Sequence, residues 1–516
     1  MKVKTDENNI KKKKAICYIL IMLYLPLSIF HDMSCFTFSN GASYFLYFTV
    51  KILYIAFIYF CLDSIFMKLY VNGMWNEKYI IIGIVFMIML IGLIFLWPGN
   101  WVEVDEFSVY GYAKSLLAHP NQGLFITVIH IMGLMIGNSP AYILVLQIFI
   151  SSIIYGNFLF YAYQKKNKIQ FVGCILLFLS APTLYYSYQP MRTYLFGILV
   201  ALFVYRYIQY WEEKKISKYE LAKLSILIGL ICCIRTEIKF MIIFYPIMIW
   251  VLIKHTENKM NNVFWRPILM FIAVICLYSG GEKICSGGSS NSAISFIMPI
   301  YTIMNDTDVD QREISKDLEN IDKVVSLDEI KSKTNRAYTL ANLNDNYTTE
   351  EYKEFIKSAT KLCLKYPKDY IKCRVSACII SLGLDKEYGY LQTVENVKNF
   401  EQTIPKEFKP LNPNMQLSFS KLIGGQFNIG TINMYFFLWS LWLPILGTAV
   451  VFIIAIVTKQ TEYVLISVML LLQFFFTMML APVKYAMYYF MNYFVGWEMI
   501  ILLVTSLKHK RHIKNN

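Results

Sequence analysis

The chain alternates between long apolar runs and short basic linkers. About 20 consecutive apolar residues are enough for one helix to cross a bilayer. The lengths of the runs and the distribution of Lys and Arg therefore predict about twelve crossings. The predicted spans lie at about residues 15–31, 44–70, 79–97, 141–163, 169–187, 191–210, 221–234, 237–254, 264–280, 432–457, 462–481 and 485–505.

A shorter apolar run, at 124–137, does not fit this series of crossings. If it crossed the bilayer, Lys165, Lys166 and Lys168 would face outward, against the tendency of Lys to stay cytoplasmic. We therefore predict a re-entrant or surface helix at this run.

Polar and charged residues dominate a long segment between the two groups of apolar runs. The expected regions are an N-terminal transmembrane module at 1–280, an extracytoplasmic domain at 281–430, and C-terminal transmembrane helices with a basic tail at 431–516. Inside the domain, Thr348 and Glu351 have the spacing of a capping box before an apolar face that Pro367 ends. Folded helices are therefore predicted there, and the parity of the crossings places the domain outside.

Composition places the chain among membrane proteins. Only 16% of its residues are charged and 56% are hydrophobic, whereas a soluble protein carries roughly 25% charged residues. Much of the net charge of +14 lies in the basic tails. Lys and Arg next to apolar helices set the orientation of the chain in the membrane and are attracted to anionic lipid headgroups, so the charge does not require a nucleic-acid partner. We therefore expect an all-α polytopic protein of the cell membrane with both termini in the cytoplasm.

The first predicted outer loop, which contains residues 98–123, holds the candidate chemistry. Asp105 and Glu106 open a segment with helical spacing. A 3.6-residue period places Phe107, Tyr110, Lys114 and Leu117 on one face, and Asp105, Ser108, Tyr112, Ser115 and His119 on another. Such a helix would lie on the membrane surface and aim a polar face at a cavity. Alternatively, the two acids only sit at a helix N-terminus, where the helix dipole favours negative charge.

Basic residues at predicted outer helix ends form a second pattern. They are Arg192, Arg235, Lys239 and Lys484. Arg235 and Lys239 are one helical turn apart and would share a face. Each basic residue alone could extend its side chain to lipid phosphates. Together, on the same side as the acidic pair and Glu237, they favour a phosphate-binding site, because a guanidinium meets phosphate oxygens in two places.

Other candidates carry less weight. His119 and His130 lie near the acids in the sequence and could bind a divalent metal with them, but no ligand spacing such as HxxxH supports a metal site. The 11 cysteines lie mostly in apolar runs, without a CxxC pair. Glu498 lies inside the last predicted helix, where a structural partner is favoured over catalysis. The sequence therefore identifies no definite cofactor, and a divalent metal stays an alternative.

Several short motifs follow one another in the first outer loop: Trp97-Pro98-Gly99, Asp105-Glu106, Ala113 and His119-Pro120. This succession resembles the GT-C superfamily of membrane glycosyltransferases, in particular uncharacterised bacterial multi-pass members with a large extracytoplasmic insertion. Three later stretches are similar to that group: Arg235-Thr236-Glu237, Lys365-Tyr366-Pro367-Lys368-Asp369-Tyr370 and Pro482-Val483-Lys484-Tyr485. The chain departs from the pattern in having Lys at 484 instead of Arg and two additional helices at its beginning.

The resemblance implies a GT-C-like bundle that moves a sugar from a polyprenyl-phosphate donor to a hydroxyl acceptor on the extracytoplasmic face. The acceptor would be a cell-surface glycan, a glycolipid or a protein. Asp105 would be the general base, with Glu106 as the alternate or acceptor-orienting group. The expected substrate-binding residues are Arg235, Glu237, Lys239, Lys484, Tyr485, Arg192, His119 and Tyr112. Outer aromatic residues would stack on sugars or anchor the protein at the interface: Trp101, Tyr110, Tyr112, Tyr185, Tyr186 and Tyr188.

Other functions fit the same pattern. A transporter or flippase for a lipid-linked glycan is expected to carry charges near the bilayer midplane and broken helices in repeated positions. A polysaccharide polymerase would also act outside, and it shares the tyrosines and arginines. A non-enzymatic sensor or scaffold, with the polar segment as receptor, is a third alternative. The concentration of charge at one face favours the transferase.

Overall fold

Helices of different lengths build the protein, together with one very short β-hairpin. The computed structural model describes residues 7–66, 77–101, 104–256, 264–286, 293–306, 308–333, 343–344, 346–384, 405–424, 428–429, 432–434, 438–481 and 485–515. The first group of helices is α1 (Glu7–Cys35), α2 (Gly41–Phe66), α3 (Glu77–Leu96), α4 (Val104–Lys114), α5 (Leu124–Ile136), α6 (Ala141–Gln164), α7 (Lys168–Phe178), α8 (Ala181–Ser187), α9 (Arg192–Glu213), α10 (Lys218–Ile234), α11 (Met241–His255) and α12 (Trp265–Cys285).

The second half of the chain contains shorter helices and then three long ones. They are α13 (Ile294–Met304), α14 (Gln311–Asp322), α15 (Leu327–Lys333), α16 (Thr349–Lys365), α17 (Pro367–Ser381), α18 (Pro413–Ile423), α19 (Trp442–Val457), α20 (Thr461–Leu480) and α21 (Phe490–Asn515). Two strands, β1 (Asn428–Ile429) and β2 (Ile432–Asn433), pair antiparallel. Short 3-10 turns lie at Thr236–Ile238, Lys406–Phe408 and Ala486–Tyr489.

Eight helices of the described chain are long and apolar enough to cross a membrane, or nine if the bent pair α7–α8 is one span. The eight segments are Ala15–Cys35, Gly41–Asp63, Glu77–Leu96, Ala141–Gln164, Arg192–Glu213, Trp265–Cys285, Thr461–Leu480 and Ala486–Lys508. This architecture is consistent with a membrane protein. The expected count of about 12 is not confirmed. Of the predicted spans, 169–187 is divided between α7 and α8, and the helices at the other three, α10, α11 and α19, have 17, 15 and 16 residues.

The predicted span at 169–187 is wrong as a single straight helix. It is broken into α7 and α8, whose axes differ by 56°. Ser180 caps α8 in an extended conformation, and Pro182 lies in its first turn. Proline cannot donate a backbone hydrogen bond, so it interrupts the hydrogen-bond ladder inside a helix but is tolerated in a first turn. This explains why α7 stops here and why α8 restarts with Pro182 in its first turn.

Two other boundaries differ from the prediction. The helix predicted from 432 begins at Trp442, and β2 occupies Ile432–Asn433 before it. The helix predicted to end at 280 continues through Gly280 and Gly281 to Cys285 as α12.

The helices α13 to α16 enclose a core of their own. The capping box is confirmed: the Thr348 hydroxyl accepts from the Glu351 backbone N–H at 3.2 Å, and the Thr348 N–H donates to the Glu351 carboxylate at 2.8 Å. The predicted apolar face of α16 is also confirmed, since Phe355, Ala359 and Leu362 are fully buried. Pro367 ends α16 and begins α17.

The polar segment is joined to the long helices by specific hydrogen bonds. The guanidinium of Arg374 in α17 donates to the carbonyl oxygens of Ala481 at 2.5 Å and Ser295 at 2.6 Å. Gln416 in α18 donates to the carbonyl oxygens of Leu96 at 3.3 Å and Gly99 at 3.2 Å. These bonds place α17 beside the end of α20, and α18 beside the end of α3 that leads to α4.

Candidate functional site

The helix α4 carries the predicted acidic pair but ends earlier than its periodicity predicts. Leu116 has a left-handed φ of 54°. The Leu117 N–H bonds to the Tyr112 carbonyl at 3.0 Å, and the Leu116 N–H bonds to the Ala113 carbonyl at 3.1 Å. This is a Schellman ending with Leu in the position where Gly is usual. The prediction that Ser115, Leu117 and His119 continue the two helix faces is therefore wrong.

His119 holds the loop after α4 in place. Its Nδ1 accepts the backbone N–H groups of Asn121 at 3.1 Å and Gln122 at 3.0 Å. Its Nε2 lies 3.0 Å from the Ser108 hydroxyl. Burial lowers the pKa of His119, so the ring is neutral at pH 7 and carries its proton on Nε2. One ring nitrogen holds the loop and the other contacts Ser108 in α4, which makes His119 a positioning residue.

The two acids of the pair have different surroundings. Glu106 is completely buried and accepts a hydrogen bond from the side-chain amide of Gln189. Asp105 is half-buried, and its Oδ2 accepts from the side-chain amide of Gln122 at 2.8 Å. A general base must reach its substrate. The geometry therefore favours Asp105 over Glu106 for that role.

Gln122 connects the acid to a basic residue. Its backbone carbonyl accepts from the Arg192 Nη1 at 3.2 Å, while its side chain holds Asp105. The same Arg192 nitrogen also donates to the Ile234 carbonyl at 3.3 Å. No carboxylate within the described part of the chain forms an ion pair with Arg192. A half-buried guanidinium without an acidic partner is available to an anion.

Arg235 already has a carboxylate partner. Its Nη2 donates to Glu237 Oε1 at 2.6 Å and its Nε to Oε2 at 3.3 Å, and both side chains are buried. Burial alone would raise the pKa of Glu237, but the charge and hydrogen bonds of Arg235 outweigh it and lower this pKa to about 2. The Arg235 guanidinium also lies 4.9 Å from the centre of the Tyr488 ring.

The expected shared helical face of Arg235 and Lys239 is not present. Arg235 ends α10 in an extended conformation, with φ −140° and ψ 145°, and a 3-10 turn follows. Arg235 is consequently buried, whereas Lys239 is exposed. The helical spacing failed because it assumed one continuous helix through the break between α10 and α11.

The remaining predicted residues are scattered or lie outside the description. Lys484 falls in 482–484, outside the described residues, whereas Tyr485 is buried. Tyr112 is half-buried and meets the His119 ring edge-on at 4.9 Å. Tyr488, which the sequence did not single out, lies within electrostatic reach of Arg192, Arg235, Glu237 and Asp105. The structure thus brings those four charged residues to one end of the helix bundle.

The expected sugar-stacking aromatic surface is largely buried. Five of its six members are at most 6% exposed: Trp101, Tyr110, Tyr185, Tyr186 and Tyr188. Phe408 explains part of this burial, because its ring lies 4.7 Å from that of Trp101 and 4.9 Å from those of Phe107 and Tyr110. Only Tyr112 of the six retains substantial exposure. The sequence carried no signal for this packing, since Phe408 lies about 300 residues beyond α4.

Metal ligation finds little geometric support in the described residues. No group of three or more His, Cys, Asp or Glu side chains that could hold a metal ion occurs among them. His130 is fully buried and its Nε2 lies 2.9 Å from the Pro190 carbonyl oxygen.

Comparison with known protein families, curated proteins and solved structures finds no significant similarity. The resemblance to GT-C glycosyltransferases therefore rests on the sequence motifs alone.

Proposed function

We propose that the protein is a membrane glycosyltransferase with a GT-C-like bundle. It transfers a sugar from a polyprenyl-phosphate donor to a hydroxyl acceptor on the extracytoplasmic face of the cell membrane. The acceptor belongs to a cell-surface glycan, a glycolipid or a protein. In this proposal both termini are cytoplasmic and the segment α13–α18 is extracytoplasmic.

The observation that carries this proposal is the connection from Asp105 through Gln122 to Arg192. It joins a half-exposed carboxylate to a guanidinium that has no acidic partner within the described chain. A base for an alcohol and a cation for a phosphate are the two groups that sugar transfer from a phosphate donor requires. The pair Arg235–Glu237 has a structural role in this proposal, because the two charges already neutralise each other and leave none for the phosphate.

The reaction follows from these positions. Asp105 accepts the proton of the acceptor hydroxyl as its oxygen forms a bond to the anomeric carbon of the donor sugar. The bond from that carbon to the phosphate oxygen breaks, and the phosphate leaves with the bonding electrons. Arg192 stabilises the negative charge that builds on the leaving phosphate. Lys239 and Lys484 are further proposed contacts to the lipid-borne phosphate, and Tyr112 and Tyr485 to the sugar or its lipid.

The test is the substitution Asp105→Asn in cells whose surface glycans can be analysed. The variant is expected to accumulate to normal protein levels, while one glycan loses a sugar and the lipid-linked donor accumulates. Glu350→Gln, which changes an exposed acid in α16, is the matched control and leaves the glycans unchanged. Intact glycans in the Asp105→Asn strain at normal protein level would contradict the proposal.

Transport of a lipid-linked glycan is the second candidate, because the described chain contains one broken apolar helix and one buried acid inside a candidate span, although the broken helix is not repeated among the described residues. The pair α7–α8 is a broken apolar helix, and Glu498 is a buried acid within the candidate span Ala486–Lys508. A flippase moves labelled lipid-linked glycan across a proteoliposome membrane without changing its sugar content. A transferase changes the sugar content when an acceptor is present, so the two products distinguish the functions.

A further inference from the structure

The helix α17 carries a stripe of exposed apolar side chains. Ile371, Val375 and Ile379 follow one another at intervals of four residues, so they share one face of the helix. Ile371 is 51% exposed, Val375 is 39% exposed and Ile379 is 41% exposed. A contiguous exposed apolar surface usually marks the contact with a partner or with a membrane.

The contacts of α17 with the long helices place it near the ends of two candidate spans. The Tyr370 hydroxyl donates to the carbonyl oxygen of Met479 at 2.8 Å, in the last turn of the candidate span Thr461–Leu480. Arg374 donates to the carbonyl oxygen of Ala481, which follows that span. The helix also contacts the 3-10 turn Ala486–Tyr489, where the next candidate span begins. A helix that touches both span ends lies near the level where these spans would leave the bilayer.

The stripe lies on the side of α17 that faces away from the core of α13 to α16. Cys373 and Ala377 pack with Met298 of α13. Val375 is two residues from both Cys373 and Ala377, which places it nearly opposite them on a helix with 3.6 residues per turn. The core of α13 to α16 and the apolar stripe are therefore on opposite sides of α17.

The exposed side of α17 contains two cations and no acid. Its exposed residues are Pro367, Lys368, Ile371, Lys372, Val375, Ser376 and Ile379. Asp306 and the buried Asp369 lie within electrostatic reach of both lysines, but neither lysine forms an ion pair with an acid in the described part of the chain. A lysine side chain beside an apolar face can extend to a lipid phosphate.

We propose that α17 is an interfacial helix that binds the surface of a bilayer containing anionic lipids. Ile371, Val375 and Ile379 enter the boundary between headgroups and acyl chains, and Lys368 and Lys372 contact the headgroup phosphates. An apolar stripe beside basic residues is typical of helices that lie in the plane of the interface. Lipid fits this stripe better than a protein partner does, because lipid surrounds the bundle at the level of the span ends. The contact does not depend on the proposed sugar transfer.

Nitroxide labels on single cysteines of the full-length protein test the depth of this helix. The native cysteines are replaced by Ser or Ala, and the protein is reconstituted in vesicles of phosphatidylcholine and phosphatidylglycerol. A label at Val375→Cys is expected to be more accessible to molecular oxygen, which concentrates in the apolar layer, than to a water-soluble nickel complex. A label at Lys357→Cys, on the exposed side of α16, is the control and should show the reverse order.

Two results of this measurement would overturn the proposal. If the labels at Val375→Cys and Lys357→Cys show the same accessibilities, the stripe faces water. If both reagents are excluded from Val375→Cys, protein covers the stripe, for example a second copy of this chain. Ile379→Cys gives a second position on the stripe if Val375→Cys does not fold.

Spin-labelled phosphatidylglycerol tests the two lysines separately. The fraction of this lipid that the protein immobilises should fall when Lys368→Gln and Lys372→Gln are combined, because two phosphate contacts are lost. The matched control combines Lys353→Gln and Lys357→Gln, at exposed lysines of α16, and should leave the fraction unchanged. Equal immobilised fractions in the two double variants would contradict the binding of headgroups by α17.

Discussion

At the scale of single residues, the sequence identified several charged groups that the structure brings together, but not the residue that joins them. Asp105, Arg192, Arg235 and Glu237 were all predicted members of the site. Gln122 was missed, because a glutamine in a turn carries no charge and no periodic signal. Gln122 contacts both Asp105 and Arg192 only because hydrogen bonds to His119 fix the conformation of the loop. Such a role is visible only in three dimensions.

Gln122→Leu tests this connection. The substitution removes the donor to Asp105 while the backbone bond to Arg192 is kept. Loss of one orienting hydrogen bond to a catalytic group is expected to lower kcat by roughly ten- to a hundredfold with normal expression. Steady-state kinetics on purified protein measures the effect, with Gln209→Leu at the far end of α9 as the control. An unchanged kcat would show that Gln122 does not position the base.

The pair Arg235–Glu237 predicts a pH-dependent contribution to stability. The carboxyl pKa of Glu237 is about 2 in the folded protein and about 4.3 in an unfolded chain. Because the folded value is the lower one, the stabilisation is complete above about pH 4.3 and is lost as the pH falls toward 2. Glu237→Gln should cost about 3–5 kcal/mol at neutral pH, since it leaves a buried arginine unpaired.

Chemical unfolding at several pH values checks this expectation. The difference in free energy of unfolding between wild type and Glu237→Gln should be constant from pH 8 to about pH 5 and shrink below about pH 4.3. A difference that grows as the pH falls has the opposite sign and would contradict the assignment of an ionised Glu237.

At the scale of helices, apolar periodicity predicted most elements, and local breaks explain the exceptions. The capping box at Thr348 and the apolar face of α16 follow from short-range rules and are confirmed. The extended Arg235 after α10 lies between two predicted spans, but it separates Arg235 and Lys239, which helical spacing placed on one face. The break between α7 and α8 at Ser180–Pro182 interrupts what reads as a continuous apolar pattern. The residues on both sides of such a break are similarly hydrophobic, so hydropathy averaged over a window of residues does not reveal the break.

Phe408→Ala tests how the polar segment supports α4. The ring of Phe408 is buried against Trp101, Phe107 and Tyr110. Its removal should destabilise the protein by about 3–5 kcal/mol and lower activity, because α4 carries Asp105. Phe475→Ala, at a side chain that is 48% exposed, is the control and should change the free energy of unfolding little. Equal stability of both variants would mean that the Phe408 contact does not hold α4.

At the scale of the whole molecule, the sequence predicted the all-helical class, while the number of crossings stays open. Eight or nine described helices have the length and composition of spans, and the shorter apolar helices account for the difference from the predicted count. Apolar runs in a sequence show where a span could lie, but not where a helix inside the run breaks or ends. The predicted span at 169–187 is divided between α7 and α8, and α10, α11 and α19 have 17, 15 and 16 residues.

Cysteine accessibility tests the proposed topology. Gly111→Cys in α4 has open space around the new side chain, and Thr348→Cys lies at the start of α16. In a background whose native cysteines are replaced by Ser or Ala, both should react with an impermeant maleimide in intact cells, whereas Lys166→Cys should react only after lysis. Labelling of all three from the same side would contradict the proposed arrangement.

The central claim is that Asp105 activates an acceptor while Arg192 holds the donor phosphate, and a paired assay on purified protein tests it most directly. Transfer and binding are measured with a panel of polyprenyl-phosphate sugars. Asp105→Asn should bind the donor normally but lose transfer by roughly 10²–10⁴-fold. Arg192→Gln should weaken donor binding by roughly ten- to a hundredfold, whereas Arg206→Gln in the same helix should bind normally. Full transfer by Asp105→Asn, or donor binding by Arg192→Gln equal to that of Arg206→Gln, would contradict the claim.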